Sequence, residues 1–141
     1  LPTTCRRQRQ MCIRDRKDLV LKFSLQKQVD FIHHDVSSEK IFKNSSVHIM
    51  PTITTPESIE GFGISNVEAA SYGLPCIVSN SGGTPESIGN NGIIVKENNT
   101  KQLVKAIIDI FKNYKSYSRK SYLFANNFES NKKIKEYLNA I

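Results

Sequence analysis

Residues 60–70 read Glu-Gly-Phe-Gly-Ile-Ser-Asn-Val-Glu-Ala-Ala, a glycine-containing turn that opens directly into a predicted helix. Gly61 and Gly63 permit backbone angles that residues with a Cβ resist, so the main chain there can approach a ligand closely. The unpaired first-turn N–H groups and the positive dipole end of the helix favour an anion. Glu60 precedes this helix, and Glu68 lies about one turn inside it. The stretch therefore predicts one bound molecule that meets both carboxylates and the amides between them.

Two further segments follow in the order expected of one protein family. Residues 73–80 read Gly-Leu-Pro-Cys-Ile-Val-Ser-Asn, and residues 81–86 read Ser-Gly-Gly-Thr-Pro-Glu. With residues 60–70, they resemble the donor domain of the retaining nucleotide-sugar glycosyltransferases of family 4, which have the GT-B architecture of two Rossmann-like domains. The resemblance implies an α/β fold, a Rossmann-like parallel sheet with helices on both faces, as an incomplete half of that architecture. It also implies transfer of a sugar from a nucleoside diphosphate to an acceptor hydroxyl with retention of configuration.

The resemblance gives each matching residue a role. It implies that Glu60 is the catalytic residue, which contacts the donor sugar hydroxyls, and that Glu68 binds the nucleotide ribose. A carboxylate suits both roles because it accepts hydrogen bonds from a diol at both oxygens. The diphosphate would meet backbone amides, and neither a metal nor a cofactor is expected. The substrate-binding residues implied are Gly61, Phe62, Gly63, Ile64, Glu68, Gly82, Gly83 and Thr84, with the amides of Phe62, Gly63 and Ile64 on the phosphates.

Strands and helices alternate along the chain from Lys17 onward. The apolar runs predict strands over residues 29–33, 47–51, 76–79 and 93–96. Helices are predicted over 37–43 and 64–72, from a Thr100 N-cap onward, and in closing segments over 114–128 and 130–140, with a short helical turn from Pro85. In the helix from Thr100, one apolar stripe is predicted, formed by Leu103, Val104, Ile107, Ile110 and Phe111. This alternation favours a parallel sheet covered on both faces, with the ligand at the carboxyl ends of its strands.

Residues 1–16 differ from the rest of the chain. They fit neither an amphipathic helix nor a strand, and they match no segment of the family. Residues 11–15 can be encoded by ATG TGT ATA AGA GAC, which resembles the mosaic-end adapter of transposase-based sequencing libraries. We therefore expect residues 1–16 to be a non-native leader. Residues 17–141 are then expected to form a partial nucleotide-sugar-binding domain with C-terminal closing helices. A natural basic arm is the alternative for the leader.

The charge of the chain is concentrated in that leader. The sequence carries a formal net charge of +7, and residues 1–16 hold five Arg and one Asp, a net of +4. The remaining +3 makes no strong case for nucleic acid, although a mildly basic surface leaves peripheral contact with the inner membrane face open. We find no run of eighteen apolar residues and no signal peptide, so a cytoplasmic location is expected. Cys76 alone follows the leader, and this excludes a disulfide framework from residues 17–141.

The basic residues that such a donor domain uses on the diphosphate are not recognisable in this chain. Lys17, Lys22 and Lys27 lack the glycine-flanked Arg and Lys pattern of the family. We therefore expect that the N-terminal acceptor domain and the first strand–helix unit of the donor domain are missing from this sequence. The chain alone is then expected to be inactive as a transferase.

Other functions remain as alternatives. A sugar-nucleotide epimerase or a phosphorylase on the same scaffold would use a different set of acids or a cofactor. A basic nucleic-acid-binding module would bind with a steep salt dependence that disappears without residues 1–16. His33 and His34 are neighbours on a predicted strand and point to opposite faces, so they are poor partners for one metal ion. His48 is expected to be a satisfied interior histidine.

Overall fold

The computed structural model describes residues 3–32 and 35–128, with side chains from residue 13 onward. The chain separates into two compact units, Leu1–Val36 and Ser37–Ile141. The first unit contains helix α1 (Thr3–Lys22), which includes most of the segment expected to be a non-native leader. No helix in the described ranges is long and apolar enough to cross a membrane. His33, His34 and the predicted helix over 130–140 lie outside the described residues.

Residues 29–32 do not form the predicted strand. The side chains of Val29, Phe31 and Ile32 are 37%, 43% and 58% exposed, respectively. A strand needs ladder hydrogen bonds to a neighbour, and within the described residues only three other segments pair in that way. The apolar composition of residues 29–32 therefore predicted a strand that the structure does not contain.

The second unit contains a three-stranded sheet surrounded by helices. Its strands are β1 (His48–Met50), β2 (Cys76–Ser79) and β3 (Gly92–Val95), and its helices are α2 (Ser38–Lys43), α3 (Ile64–Ser71), α4 (Thr100–Lys112) and α5 (Tyr114–Ala125), followed by the 3₁₀ turn Asn126–Phe128. The strand order is β1-β2-β3, and both pairings are parallel. This confirms the predicted α/β fold. Residues 82–90 form consecutive turns where a short helical turn was predicted from Pro85.

Strand β2 is buried between two apolar layers. Its residues Cys76 and Val78 belong to a cluster with Ala69 of α3. Ile77 belongs to a second cluster, which includes Ile110 of α4. Successive side chains of a strand point to opposite faces, so these two clusters place helices on both faces of the sheet. A strand buried on both faces reads as a continuous apolar run, which explains why β2 was predicted correctly.

Two of the helices, α2 and α4, begin at a residue whose side chain caps the first turn. Ser37 caps α2, because its Oγ accepts a hydrogen bond from the Lys40 N–H at 3.4 Å. The cap of α4 is Asn99, whose Oδ1 accepts from the Gln102 N–H at 3.0 Å. The prediction of Thr100 as the cap is therefore wrong by one residue. Both Asn and Thr are good caps, and the sequence alone did not separate them.

Helix α5 returns the chain to α3 and to the turns that follow β2. Phe124 packs so closely on Gly89 that a Cβ there would overlap its ring. The buried Ser121 donates a hydrogen bond from Oγ to the carbonyl of Asn91 at 3.4 Å. These contacts bring the 3₁₀ turn Asn126–Phe128, here called the C-terminal turn, close to the loop that precedes α3.

Helix α4 contributes only part of its predicted apolar stripe to the core. Leu103, Ile107 and Ile110 pack in the second cluster. Val104 and Phe111 are 50% and 56% exposed, so these two members of the predicted apolar stripe lie outside the core.

Candidate functional site

The loop between β1 and α3 brings Glu60 to the carboxyl edge of the sheet. A Glu60 carboxylate oxygen, Oε1, accepts a hydrogen bond from the Gly63 N–H at 3.2 Å. Gly63 is the N-cap residue of α3, with φ of 79° and no side chain of its own to cap the helix. The Glu60 carboxylate therefore takes the place of a cap at the positive end of the helix dipole. In this structure, the Gly63 amide that was predicted to meet phosphate donates to Glu60.

The other amides at this helix end remain open. The N–H groups of Phe62, Ile64 and Ser65 donate no hydrogen bond to any other residue in the described ranges. Glu68 lies on α3, about 6 Å further along the helix axis than Ile64. Its side chain is exposed, and its carboxylate has no hydrogen bond or ion pair within the same ranges. The structure thus leaves both the first-turn donors and this carboxylate free to meet a ligand.

The Gly82-Gly83 loop packs backbone to backbone against the Glu60 loop. The Gly83 N–H donates to the Glu60 carbonyl at 3.0 Å. A Cβ on Gly83 would overlap the Gly61 carbonyl, and a Cβ on Gly82 would overlap the Glu60 carbonyl. Both glycines were predicted to bind substrate, whereas the contacts that the structure gives them support the loop that carries Glu60.

Thr84 lies inside the same loop and is fully buried. Its hydroxyl donates to the carbonyl oxygens of Ser79 and Ser81. Its own carbonyl accepts from Ser87 Oγ at 2.8 Å, and Ser87 Oγ accepts from Asn66 Nδ2 of α3 at 2.7 Å. These internal hydrogen bonds fix the loop against α3, and the predicted contact of Thr84 with substrate stays a prediction.

Glu97 joins the loops that follow all three strands, and no motif in the sequence indicated this role. Its carboxylate accepts hydrogen bonds from the Thr54 backbone N–H at 3.0 Å and from Thr54 Oγ1 at 2.7 Å. Thr54 Oγ1 also lies 2.8 Å from Ser81 Oγ. Hydrogen bonds from the side chain and then the backbone of Thr54 lower the pKa of Glu97. We call this arrangement the Glu97 clamp. Thr54 and Glu97 are 43 residues apart, so no local pattern reveals the pair.

Aromatic rings from the C-terminal turn also support the site loop. The ring centroids of Phe62 and Phe128 are 6.1 Å apart, and those of Phe124 and Phe128 are 5.1 Å apart. Tilted ring pairs at these distances are favourable. The side chain of Phe62 is therefore anchored by the C-terminal turn while its amide stays open.

A cavity of about 250 Å³ opens at the carboxyl ends of all three strands. It lies beside the amino end of α4 and contains none of the predicted site residues. Lys96 adds a cation to its wall. Its lining residues are Pro51, Ile53, Ser79, Val95, Lys96, Asn98, Asn99, Thr100 and Leu103. In the part of the chain that the structure describes, no three His, Cys, Asp or Glu side chains come close enough to hold a metal ion.

Two interior groups have shifted pKa values. Burial lowers the pKa of His48, and the side chain of Asn66 partly opposes this. His48 Nε2 is buried without a hydrogen-bond partner in the described residues, so the expected satisfied histidine is not found. Burial raises the pKa of the Cys76 thiol to about 12. Cys76 therefore stays protonated near neutral pH and is a poor nucleophile.

Comparison with known proteins gives one family and several relatives. Residues 14–123 match the family described as Glycosyl transferases group 1. The chain is 30% identical over 95 residues to sucrose-phosphate synthase of Spinacia oleracea, covering 65% of this chain and 9% of that protein. It is 27% identical over 127 residues to an uncharacterized glycosyltransferase of Haemophilus influenzae, covering 86% of this chain and 35% of that protein. A probable sucrose-phosphate synthase of Vicia faba is 26% identical over 104 residues, covering 72% of this chain and 10% of that protein. The chain thus spans about a tenth of the plant relatives and about a third of the bacterial one.

Proposed function

The chain belongs to the glycosyl transferases group 1 family. From this premise we propose that it is the donor-binding part of a retaining glycosyltransferase of family 4, which binds a nucleoside diphosphate sugar in the cytoplasm. The observation that carries the proposal is the arrangement at the amino end of α3. There, Glu60 meets the first turn of the helix, the amides of Phe62 and Ile64 are open, and Glu68 is exposed one turn further along.

Each group has a chemical role in this proposal. The open amides and the helix dipole attract the diphosphate. Glu68 accepts hydrogen bonds from the ribose hydroxyls, and the second oxygen of the Glu60 carboxylate accepts one from the donor sugar. Gly82 and Gly83 hold the Glu60 loop in place through the contacts described above, and Thr84 fixes the loop that contains these glycines against α3. We include Gly61 among the donor contacts because a Cβ there would meet no atom within 4 Å, which leaves open space beside its backbone.

The proposed reaction is transfer to an acceptor hydroxyl with retention. The bond between the anomeric carbon of the sugar and the diphosphate oxygen breaks, and a bond to the acceptor oxygen forms on the same face of the ring. The acceptor hydroxyl passes its proton to the diphosphate oxygen, which leaves with the bonding electron pair. Donors that are fixed in place before the reaction stabilise the charge developing on the diphosphate. The proposal requires no metal ion.

Titration calorimetry with UDP-, GDP- and ADP-sugars and with the free nucleoside diphosphates tests the proposal. Glu68→Gln should weaken binding of both the sugar nucleotide and the free diphosphate, by about tenfold or more, because hydrogen bonds to a charged group are worth about 1.5–3 kcal/mol. Glu60→Gln should weaken binding of the sugar nucleotide only. Glutamine is chosen because its oxygen can still accept from the Gly63 N–H.

Glu86→Gln is the matched control, since Glu86 is an exposed acid in the adjacent loop without a hydrogen bond or ion pair to another described residue. It should leave both affinities unchanged. Absence of binding by every sugar nucleotide would contradict the proposal. An equal effect of Glu60→Gln on free diphosphate and sugar nucleotide would remove the role given to Glu60.

A further inference from the structure

Helix α4 presents a second apolar stripe that the domain core does not use. Val104, Ile108 and Phe111 are 50%, 50% and 56% exposed. Their spacing of four and three residues places them on one side of the helix, within a sector of about 60° at about 100° per residue. The core contacts of α4 come from Ala106 and Ile110, which lie on the far side of the helix from this stripe, and from Leu103 and Ile107, which lie between the two. Exposed apolar side chains aligned over two turns indicate a surface that meets something apolar.

Three lysines run beside this stripe. Lys101, Lys105 and Lys112 fall in the neighbouring sector of about 40° and are exposed. None of them has an ion-pair partner in the described part of the chain. The acid closest to them on the helix surface, Asp109, accepts hydrogen bonds from Asn113 Nδ2 and from the Tyr117 hydroxyl. Asp109 therefore offsets part of this positive charge without forming an ion pair, and the surface beside the apolar stripe keeps a net positive charge.

The largest side chain of the stripe is held in place. Phe111 stacks on Tyr114 with ring centroids 6.3 Å apart and an interplanar angle of 15°. Because this stacking orders the exposed ring before any contact, less side-chain entropy is lost when the ring is buried against a partner.

We propose that this outward surface of α4, formed by Val104, Ile108, Phe111 and the three lysines, docks on an anionic lipid bilayer. An apolar stripe and a lysine stripe side by side are typical of helices that lie in the membrane interface, with the apolar side chains among the acyl chains and the lysines on the headgroups. A second copy of the chain fits less well, because a symmetric contact along this helix brings its lysines together. The inference is independent of the proposed donor site. It adds a membrane surface as a partner of the domain. The helix that would contact this surface, α4, begins at the sheet edge that carries Glu60.

The sequence contains no tryptophan, so one introduced tryptophan reports the position directly. In Phe111→Trp, emission should shift to the blue when vesicles of phosphatidylcholine with phosphatidylglycerol are added, and should not shift with phosphatidylcholine alone. Tyr122→Trp is the matched control, because Tyr122 is 58% exposed on α5, outside the proposed surface. It should show no shift with either vesicle. Circular dichroism verifies that both variants remain folded.

Co-sedimentation with the anionic vesicles measures how much the three lysines contribute to membrane binding. All proteins compared carry Arg6→Gln, Arg7→Gln and Arg9→Gln, so that the leader contributes little to this binding. The triple variant Lys101→Gln, Lys105→Gln, Lys112→Gln should lose about fivefold in partitioning per lysine. Lys27→Gln, Lys40→Gln, Lys120→Gln removes the same charge elsewhere and should lose far less. Absence of a shift in Phe111→Trp overturns the proposal, and so does an equal shift in both tryptophan variants. A shift that grows with protein concentration without vesicles identifies self-association and also overturns it.

Discussion

At the level of single residues, Glu60 supports two parts of the structure, whereas the sequence predicted only its contact with the donor sugar. Its Oε1 accepts from the Gly63 N–H at 3.2 Å, and its carbonyl accepts from the Gly83 N–H at 3.0 Å. The residue therefore supports the end of α3 and the adjacent loop before any ligand is bound. Preorganised groups of this kind do not need to rearrange when charge develops.

The close contact of the two glycine loops predicts unequal effects of alanine at two glycines. Gly83→Ala should lower the free energy of unfolding by about 1–3 kcal/mol, because the new Cβ overlaps the backbone carbonyl of Gly61. Gly61→Ala is the matched control, since its Cβ meets no atom within 4 Å, and it should change stability by less than about 0.5 kcal/mol. Urea unfolding of both variants measures the difference. Equal destabilisation by both would contradict this account of the loops.

The buried thiol of Cys76 predicts a loss of stability at alkaline pH. Its pKa is raised from 9.0 to about 12 by burial. Below about pH 9 the thiol is protonated in both the folded and the unfolded state, so it causes no pH dependence. Above that pH only the unfolded thiol ionises, and the contribution should fall by about 1 kcal/mol between pH 9 and pH 10. Urea unfolding at both pH values should show this excess loss relative to Cys76→Ala. Identical losses in the two proteins would refute it.

At the level of elements, the candidate site depends on loops that support one another. The Glu97 clamp connects the loop after β3 to the loop after β1, and Ser81 connects both to the loop after β2. The loop that carries Glu60 is also supported by Phe128, whose ring packs against the ring of Phe62. Loops at the carboxyl edge of a parallel sheet carry most of the binding groups of such folds, so their mutual fixation determines how well the site is ordered.

Loss of the Glu97 clamp should loosen residues 51–58 without unfolding the domain. In Glu97→Ala, the Thr54 amide loses its acceptor and should exchange with deuterium faster, while amides of β2 stay protected. Hydrogen exchange read by NMR measures this, with Glu86→Ala as the control. In the unchanged protein the lowered pKa of Glu97 should keep the clamp closed until the pH falls below the ordinary range of a glutamate. Unchanged exchange at Thr54 in Glu97→Ala would show that the clamp contributes no order.

At the level of the whole molecule, the second unit has one sheet with helices on both faces and its candidate site at one edge. The described groups there include acids and open amides, with Lys96 as a cation in the cavity beside them. The acceptor side of the reaction is not identified on this domain. In the relatives, the matched part is about a tenth to a third of the full protein.

The 141-residue chain alone should bind a sugar nucleotide without transferring the sugar. Transfer needs an acceptor held against the donor, and correct positioning accounts for a large part of the rate of such reactions. Incubation with the sugar nucleotide that binds in calorimetry, with and without simple alcohols and sugars, should give no glycoside by mass spectrometry. A characterised glycosyltransferase serves as the positive control. Formation of a glycoside that is lost in Glu60→Gln would show that the chain is sufficient for catalysis.

The sequence by itself determined the elements whose signals are local. Strand β2 was predicted with its correct bounds because it is an apolar run, and the predicted helix over residues 64–72 agrees with α3 because Gly63 and Gly73 limit it. The alternation of strands and helices predicted the parallel sheet, and the order of the three motif segments predicted a glycosyltransferase, which the family match supports. The finer assignment to family 4 stays a prediction. Local periodicity and glycine placement act over a few residues, so they can be read along the chain.

Tertiary structure alone decided which groups remain free for a ligand. The Gly63 amide and the Thr84 hydroxyl are used inside the protein, whereas the amides of Phe62 and Ile64 are open. The Glu97 clamp joins residues 43 positions apart, and the exposed stripe of α4 appears only when the core has taken its other side. Hydrogen-bond partners and burial depend on segments that are distant in sequence. A pattern of residue types can therefore propose a binding group, and the folded chain determines whether that group is still available.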